Sequence, residues 1–415
     1  MSELEVELAI RRKEENREEE HETETETGEE IMTLNMGPQH PSTHGVLRII
    51  LKLEGELIID AVPVIGYLHR GIEKLMESKS YHQVIVLTDR FDYLSPLVNN
   101  LSYCLAVEKL LGLEIPPRGQ YLRVILAELT RLESHLMWLG SQANVIGAIT
   151  PLLYTFRERE GLLDLFEMAG GSRMHTSYIR IGGLLRDVPP EFIPKVKGFC
   201  EAFPRLMKDY EGLLTKNRIW QMRTRGVGVI SAEEAINLSL SGPMLRGSGV
   251  KHDLRKASPY SGYDQFEFDI PVEKEGDVYA RYLVRLEEMR QSNNILRQAV
   301  EKLPSGPIDA GVPQVVPPEK QRVGTDIESL IHQFHIMVEG FKVPAGEVYS
   351  SVESPRGELG YYICSDGSGK PYRIKVRTPS FVNLQTLAPM IKGRLIADIM
   401  AIIGSIDIIL GDVDK

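Results

Sequence analysis

Apolar and polar positions alternate between Leu47 and Leu53: Leu47, Ile49, Leu51 and Leu53 share one face, Arg48 and Lys52 the other. A period of two predicts a strand with one buried side. Glu54-Gly55 then turns the chain, and 57–62 reads as the return strand of a hairpin. Beyond Gly66-Tyr67-Leu68-His69-Arg70-Gly71 the spacing lengthens, and 72–80 reads as a short helix. Another helix is predicted from about Pro96, capped by Asp89 or Asp92, to about Leu111, where Gly112 and Pro116-Pro117 stop it. Over 120–140, Leu122, Ile125, Leu129, Leu132, Leu136 and Leu139 recur at three- and four-residue steps, the stripe of an amphipathic helix. Helices are also predicted over 154–168, 191–215, 277–303 and 326–340, with irregular chain at 259–263 and 304–318. A closing hairpin, 360–365 with 371–376, flanks the turn Asp366-Gly367-Ser368-Gly369. Helices outweigh strands, and the strands gather near both ends. The predicted class is α+β, mainly α: a helical bundle with small β-hairpins in the N- and C-terminal parts.

Charge changes the picture only at the start. The net charge is −10, but residues 1–30 hold thirteen Glu against four Lys or Arg, so the body of 31–415 is nearly neutral. A neutral body argues against a nucleic-acid footprint. Residues 1–30 read as an acidic, low-complexity head, and 31–415 as one domain. The head is the opposite of an Arg-rich transit peptide, and no signal peptide is apparent. The greasiest late stretch, 396–410, is interrupted by Asp398 and Asp407 and is too short to span a bilayer, so a membrane role must come through a partner. Cys104, Cys200 and Cys364 form no CxxC, which argues against a disulfide framework and against a Cys-based metal site.

The candidate chemistry begins just before the first strand, in Gly37-Pro38-Gln39-His40-Pro41-Ser42-Thr43-His44-Gly45. The prolines exclude a helix that would pair His40 with His44 on a metal. Two readings of the loop remain open from the residues alone. Its imidazoles exchange protons near neutral pH, or they only hydrogen-bond to backbone. His332 and His335 lie three apart on a predicted helix, but no third ligand stands close in sequence, and an ordinary partly buried helix is the preferred reading.

This loop resembles the opening of the D-type, quinone-site subunit family of the proton-pumping NADH:quinone oxidoreductase, respiratory complex I. The resemblance extends over nearly everything after the acidic head. It is carried by Gly66-Tyr67-Leu68-His69-Arg70-Gly71-Ile72-Glu73-Lys74, Ala106-Val107-Glu108-Lys109-Leu110, Phe156-Arg157-Glu158-Arg159-Glu160 and Tyr178-Ile179-Arg180-Ile181-Gly182-Gly183. Further matches are Asp253-Leu254-Arg255-Lys256-Ala257, Pro259-Tyr260-Ser261-Gly262-Tyr263, Pro379-Ser380-Phe381-Val382-Asn383-Leu384-Gln385 and the terminal Gly411-Asp412-Val413-Asp414-Lys415, where the family usually ends in Arg. The family is similar in fold to the large subunit of [NiFe]-hydrogenases, which hold their metals between two Cys pairs. Three isolated Cys cannot supply two pairs, so the resemblance implies a hydrogenase-like scaffold whose vacated metal cavity is the quinone headgroup pocket.

The resemblance implies several roles. His44 and Tyr93 are the proton donors to the quinone oxygens, with His40 in the wall. No cofactor is bound by this chain. Electrons come from a [4Fe–4S] cluster on a small partner subunit, beside Arg70 and His175. The other implied partners are a C-type neighbour in the complex and the membrane subunit at the quinone channel, which would hold the chain peripherally on the cytoplasmic face of the cell inner membrane. Read from the residues alone, Tyr93 could equally be a core tyrosine, His175 a helix C-cap and Arg70 half of a surface ion pair. A non-catalytic scaffold subunit and a hydrogenase subunit are the rival functions. One departure stands out. Where the family carries an Asp two residues before Gly147, an Asp that orients the loop His, this chain has Val145.

Overall fold

The alternating segment is the middle strand of a three-stranded antiparallel sheet in this computed structural model, which describes residues 31–415. The acidic head expected over 1–30 lies outside the described residues. The sheet runs β1 (Ile31–Met36), β2 (Arg48–Glu54), β3 (Leu57–Val64). Leu47, Ile49, Leu51 and Leu53 are all buried, as the alternation requires. β1 escaped the sequence reading because only Met36 in it is fully buried, so it shows no clean period of two.

The predicted helix at 72–80 is shorter, α1 (Ile72–Met76), and a second helix that the periodicity did not give, α2 (Tyr81–Thr88), follows it. The signal for α2 was present as the capping box Ser80-x-x-Gln83. α3 (Pro96–Leu111) starts at the predicted proline, but its cap is Ser95, neither Asp89 nor Asp92. Both aspartates are buried and have other partners, described below. α4 (Pro117–Val145) runs past the expected stop at Gly140. Gly140 does not end the helix. It permits close contact, because a Cβ there would run into Leu152 and Thr155 of α5 (Ile149–Gly170). α6 (Phe192–Leu214), α7 (Val278–Glu301) and α8 (Ile327–Val338) fall where the periodicity puts them. Short strands β4 (Ile179–Arg180) and β5 (Gly183–Leu184) pair with each other. The closing hairpin, β7 (Gly357–Ser365) with β8 (Arg373–Arg377), gains a third strand, β6 (Gly346–Ser354).

Two apolar cores result. The larger is built on α3 to α7 and β6 to β8, with α4 buried on nearly every side. The smaller packs β1 to β3 against α9 (Ile399–Ile406), whose Ile399, Ile402, Ile403 and Ile406 are all buried. α8 departs from the partly buried helix expected there: Ile336 is buried, while Ile327, Leu330, Ile331, Phe334, Met337 and Val338 face out. Among the described residues no helix is long and apolar enough to cross a membrane.

Candidate functional site

The 37–45 loop folds around Thr43. Its buried Oγ1 lies 3.1 Å from the carbonyls of both Pro38 and His40, and the Thr43 carbonyl accepts from the Leu47 amide at 3.1 Å. The helix excluded by the prolines is reduced to one 3₁₀ turn, Pro41–Thr43, which packs on α9. The chain then passes through His44 at φ 55° and Gly45 at φ 80° and enters β2. At the other end, Gly37 has φ 88°, and a Cβ there would meet the Leu47 carbonyl and Thr43 Oγ1. Gly37→Ala should therefore displace the loop that carries His44. The expected outcome is an assembled complex with quinone reduction lowered about tenfold. Wild-type turnover in that variant would show that the loop's conformation is not needed.

Tyr93 closes the segment 89–93 between α2 and α3. The preceding Asp92 is buried. Its Oδ1 accepts from the Leu94 amide at 3.0 Å, and its Oδ2 accepts from Ser95 Oγ and from Arg356 Nη1, the latter at 2.7 Å. Arg356 sits in the turn between β6 and β7 and is itself buried. Its Nη2 donates to Asp407 Oδ1 at 3.1 Å, its Nε to the Asp407 carbonyl at 2.9 Å, and its Nη1 also to Ser134 Oγ at 2.9 Å. Asp407 caps α9 at φ 58°. One guanidinium thus ties α4, α9, the 89–93 segment and the β6–β7 turn together where the two cores meet.

His44 and Tyr93 both lie in the field of Arg356. Each is open to solvent, Tyr93 at 40 % exposure, while protein atoms fill most of the space around it. Burial, then the Arg356 charge, lowers the His44 imidazole from its ordinary value. Burial raises the Tyr93 phenol, with Arg356 acting the other way and Asp92 and Asp407 adding to the rise. Desolvation pushes Asp407 up to about 6, and desolvation followed by the Asp92 charge pushes Asp412 up to about 7. Carboxylates in that range can exchange protons near neutral pH.

Arg70 and His175 meet at the other end of the same segment. Arg70 Nη2 donates to the Arg90 carbonyl at 2.5 Å, and His175 Nδ1 donates to the Asp89 carbonyl at 3.1 Å. Neither takes the alternative role left open by the sequence. Gly171 caps α5, and among the described residues Arg70 forms no ion pair. The Asp89 carboxylate is buried between Ser177 Oγ at 2.6 Å and Asn100 Nδ2 at 2.7 Å, and burial raises it to about 6. Arg90 depresses both Arg70 and His175 by like charge, second to desolvation, so this corner is cationic. Consecutive Cα atoms are at most about 3.8 Å apart, so Asp89 and Tyr93 lie within ~15 Å.

The family described as "Respiratory-chain NADH dehydrogenase, 49 Kd subunit" matches residues 145–415. Over 386 residues the chain is 58% identical to the D-type NADH-quinone oxidoreductase subunit of Geotalea uraniireducens, covering 93% of this chain and 99% of the relative. It is 58% identical over 387 residues to a D-type subunit of the same oxidoreductase from Koribacter versatilis, and 56% identical over 389 residues to one from Chloroflexus aurantiacus. These cover 93% of this chain and 96% and 95% of the relatives. The chain belongs to the 49-kDa subunit family of respiratory-chain NADH dehydrogenase. As a member of this family it is a subunit of an oxidoreductase complex, complex I, and other subunits of that complex are its partners.

Within this 49-kDa family member, the terminal Gly411-Asp412-Val413-Asp414-Lys415 is a clamp on the site. Asp414 accepts from the amides of Gly66 and Leu68 at 2.8 and 2.7 Å, and its carbonyl accepts from His69 Nδ1. Lys415 Nζ donates to the Val376 carbonyl at 2.8 Å, so Lys fills the terminal position that the family usually gives to Arg. Val145 ends α4 and is half-buried, while Asn144 is exposed. His40 is half-buried in the loop. His332 and His335 sit on the exposed α8, where His335 Nδ1 faces Glu339 at 3.1 Å. Among the described residues no three His, Cys, Asp or Glu cluster as a metal site. Sequence reading missed Thr43, Arg356 and the proton-holding character of Asp407 and Asp412. The available signal was Asp407 itself, a charge inside an otherwise apolar run.

Proposed function

We propose that this chain forms the quinone headgroup pocket of complex I, where quinone receives two electrons and two protons and leaves as quinol. The observation that carries the reading is that His44 and Tyr93, two accessible titratable groups from distant parts of the sequence, both lie in the field of one buried guanidinium. In this reading the Tyr93 phenol donates to one carbonyl oxygen, and Arg356 stabilises the phenolate left behind. Burial holds the phenol protonated until the electrons arrive. His44, whose cation burial and Arg356 disfavour, hydrogen-bonds the other oxygen, takes up a proton as negative charge builds there, and passes that proton on. His40 contributes to the wall.

The electrons come from a [4Fe–4S] cluster on a small partner subunit docked at Arg70, Arg90 and His175, whose positive charge favours the reduced cluster. The exposed apolar face of α8 and exposed Ile149, Leu153 and Phe156 on α5 suit burial by further subunits, the C-type neighbour and the membrane subunit at the quinone channel. The chain then sits peripherally on the cytoplasmic face of the inner membrane, and quinone reduction there drives proton translocation. Chemical modification tests the pocket against a scaffold role. Bound quinone should shield His44 and Tyr93 in the intact complex, and equal modification with and without quinone would refute the pocket.

Val145→Asp should restore the family's carboxylate. A carboxylate beside an imidazole stabilises the cation and raises its pKa. His44 would then remain a usable acid to higher pH, and the falling alkaline limb of quinone reduction should move upward. One pKa unit corresponds to about 1.4 kcal/mol. A limb that stays put in an assembled Val145→Asp complex would show that His44 is not the titrating donor.

A further inference from the structure

The guanidinium of Arg285, on α7, is fully buried, yet among the described residues Nε, Nη1 and Nη2 all lack an acceptor. Its Cζ lies 4.3 Å from the ring centroid of Trp138 on α4. Stacking satisfies the cation's face and leaves its in-plane N–H donors. Leaving such donors unpaired is costly. The opposite charges acting most strongly on Arg285 are Asp407 and then Glu288, but neither forms an ion pair with it. Asp407 keeps one oxygen, Oδ2, without a partner among the described residues, its Oδ1 being held by Arg356. Gln142 Oε1, one turn beyond Trp138, is also unpaired there and lies against Gly404, whose carbonyl accepts from Trp138 Nε1 at 2.6 Å. Unpaired donors and unpaired acceptors therefore adjoin one another where α4, α7 and α9 meet, too far apart to bond directly. Buried water satisfies groups in this arrangement.

We propose that ordered waters fill this junction between two buried charge clusters, bridging Arg285 to Asp407 on one side and to Glu288 on the other, and that they form a proton route to Asp407 beneath the pocket. The first cluster is Asp92, Arg356 and Asp407, beneath His44 and Tyr93. In the second, Glu288 accepts from His135 Nε2 at 2.9 Å and from Arg246 Nε at 2.9 Å, and Arg246 Nη1 donates to Glu353 at 2.8 Å and to the carbonyl of the exposed His252 at 2.9 Å. Each quinone reduced takes two protons from the pocket, and two must return. Water carries them, while Arg285 stays protonated and acts as a positioning residue. Asp407, raised to about 6 by burial, is suited to accept and release a proton at the pocket end.

The proton-supply role rests on the pocket reading, while the hydration does not. A density map of the intact complex fine enough to resolve water should show ordered waters between the Arg285 guanidinium and Asp407 Oδ2. A dry contact or a direct ion pair there would overturn the junction. Arg285→Met keeps similar volume without donors. In the assembled complex it should lower kcat for quinone reduction about tenfold with KM unchanged, and it should enlarge the solvent deuterium isotope effect. Arg285→Lys should restore most of the rate. Unchanged kcat and isotope effect in Arg285→Met would overturn the route, and if that variant does not assemble, the map decides. Failure of the pocket reading would appear separately, as wild-type turnover in Tyr93→Phe.

Discussion

Quinone reduction is expected to fall by about a hundredfold or more when Tyr93 is replaced by Phe, while the complex assembles and its iron–sulfur clusters still accept electrons. The substitution removes one hydroxyl and almost no volume. Tyr93 is partly exposed, and among the described residues its hydroxyl makes no hydrogen bond, so no structural contact is lost with it. What disappears is the proton donor beside Arg356. A hundredfold loss corresponds to about 2.7 kcal/mol of barrier. The measurement is quinone reductase turnover of purified complex, alongside cluster reduction by NADH. Wild-type turnover would remove Tyr93 from the chemistry.

Arg356→Met should have the largest structural effect. It leaves Asp92 and Asp407 buried without their shared cation, and breaking a buried ion pair by removing one partner costs about 3–5 kcal/mol. Asp407, already pushed up to about 6 by burial, should then titrate higher still, further above the ordinary carboxylate value of about 3.9. A raised carboxyl pKa makes the folded state hold more protons than the unfolded one, so stability falls as pH rises from the unfolded to the folded pKa. The variant's deficit in thermal stability should therefore be smaller at acid than at neutral pH. Activity should fall too, because the phenolate of Tyr93 loses the positive charge of Arg356. Arg356→Lys should recover only part of both effects, since an ammonium cannot reproduce the planar fork that holds two carboxylates and a serine. A thermal deficit independent of pH would contradict the assigned ion pairs.

The amphipathic parts of the fold were legible because their periods survive in sequence. The buried stripe of β2, the leucine row of α4 and the positions of α7 and α8 all read directly. β1 did not, being an edge strand with mixed burial, and Gly140 misled because a close helix contact and a helix stop use the same residue. The histidine loop and Tyr93 were legible through family resemblance, not through spacing. Arg356 was not legible at all: it sits in a tight turn, and its three partners come from residues 92, 134 and 407, a long-range assembly that no local pattern encodes. The exposure of α8 was missed for a different reason. An apolar face predicts burial, and in the single chain this face lies open.

The central claim is tested most directly by a structure of the intact complex with a short-chain quinone bound during turnover. One carbonyl oxygen of the headgroup should lie within about 3.2 Å of Tyr93 Oη, and the other should face His44. A headgroup bound elsewhere in a complex that still turns over, with Tyr93 and His44 facing only solvent, would contradict the account.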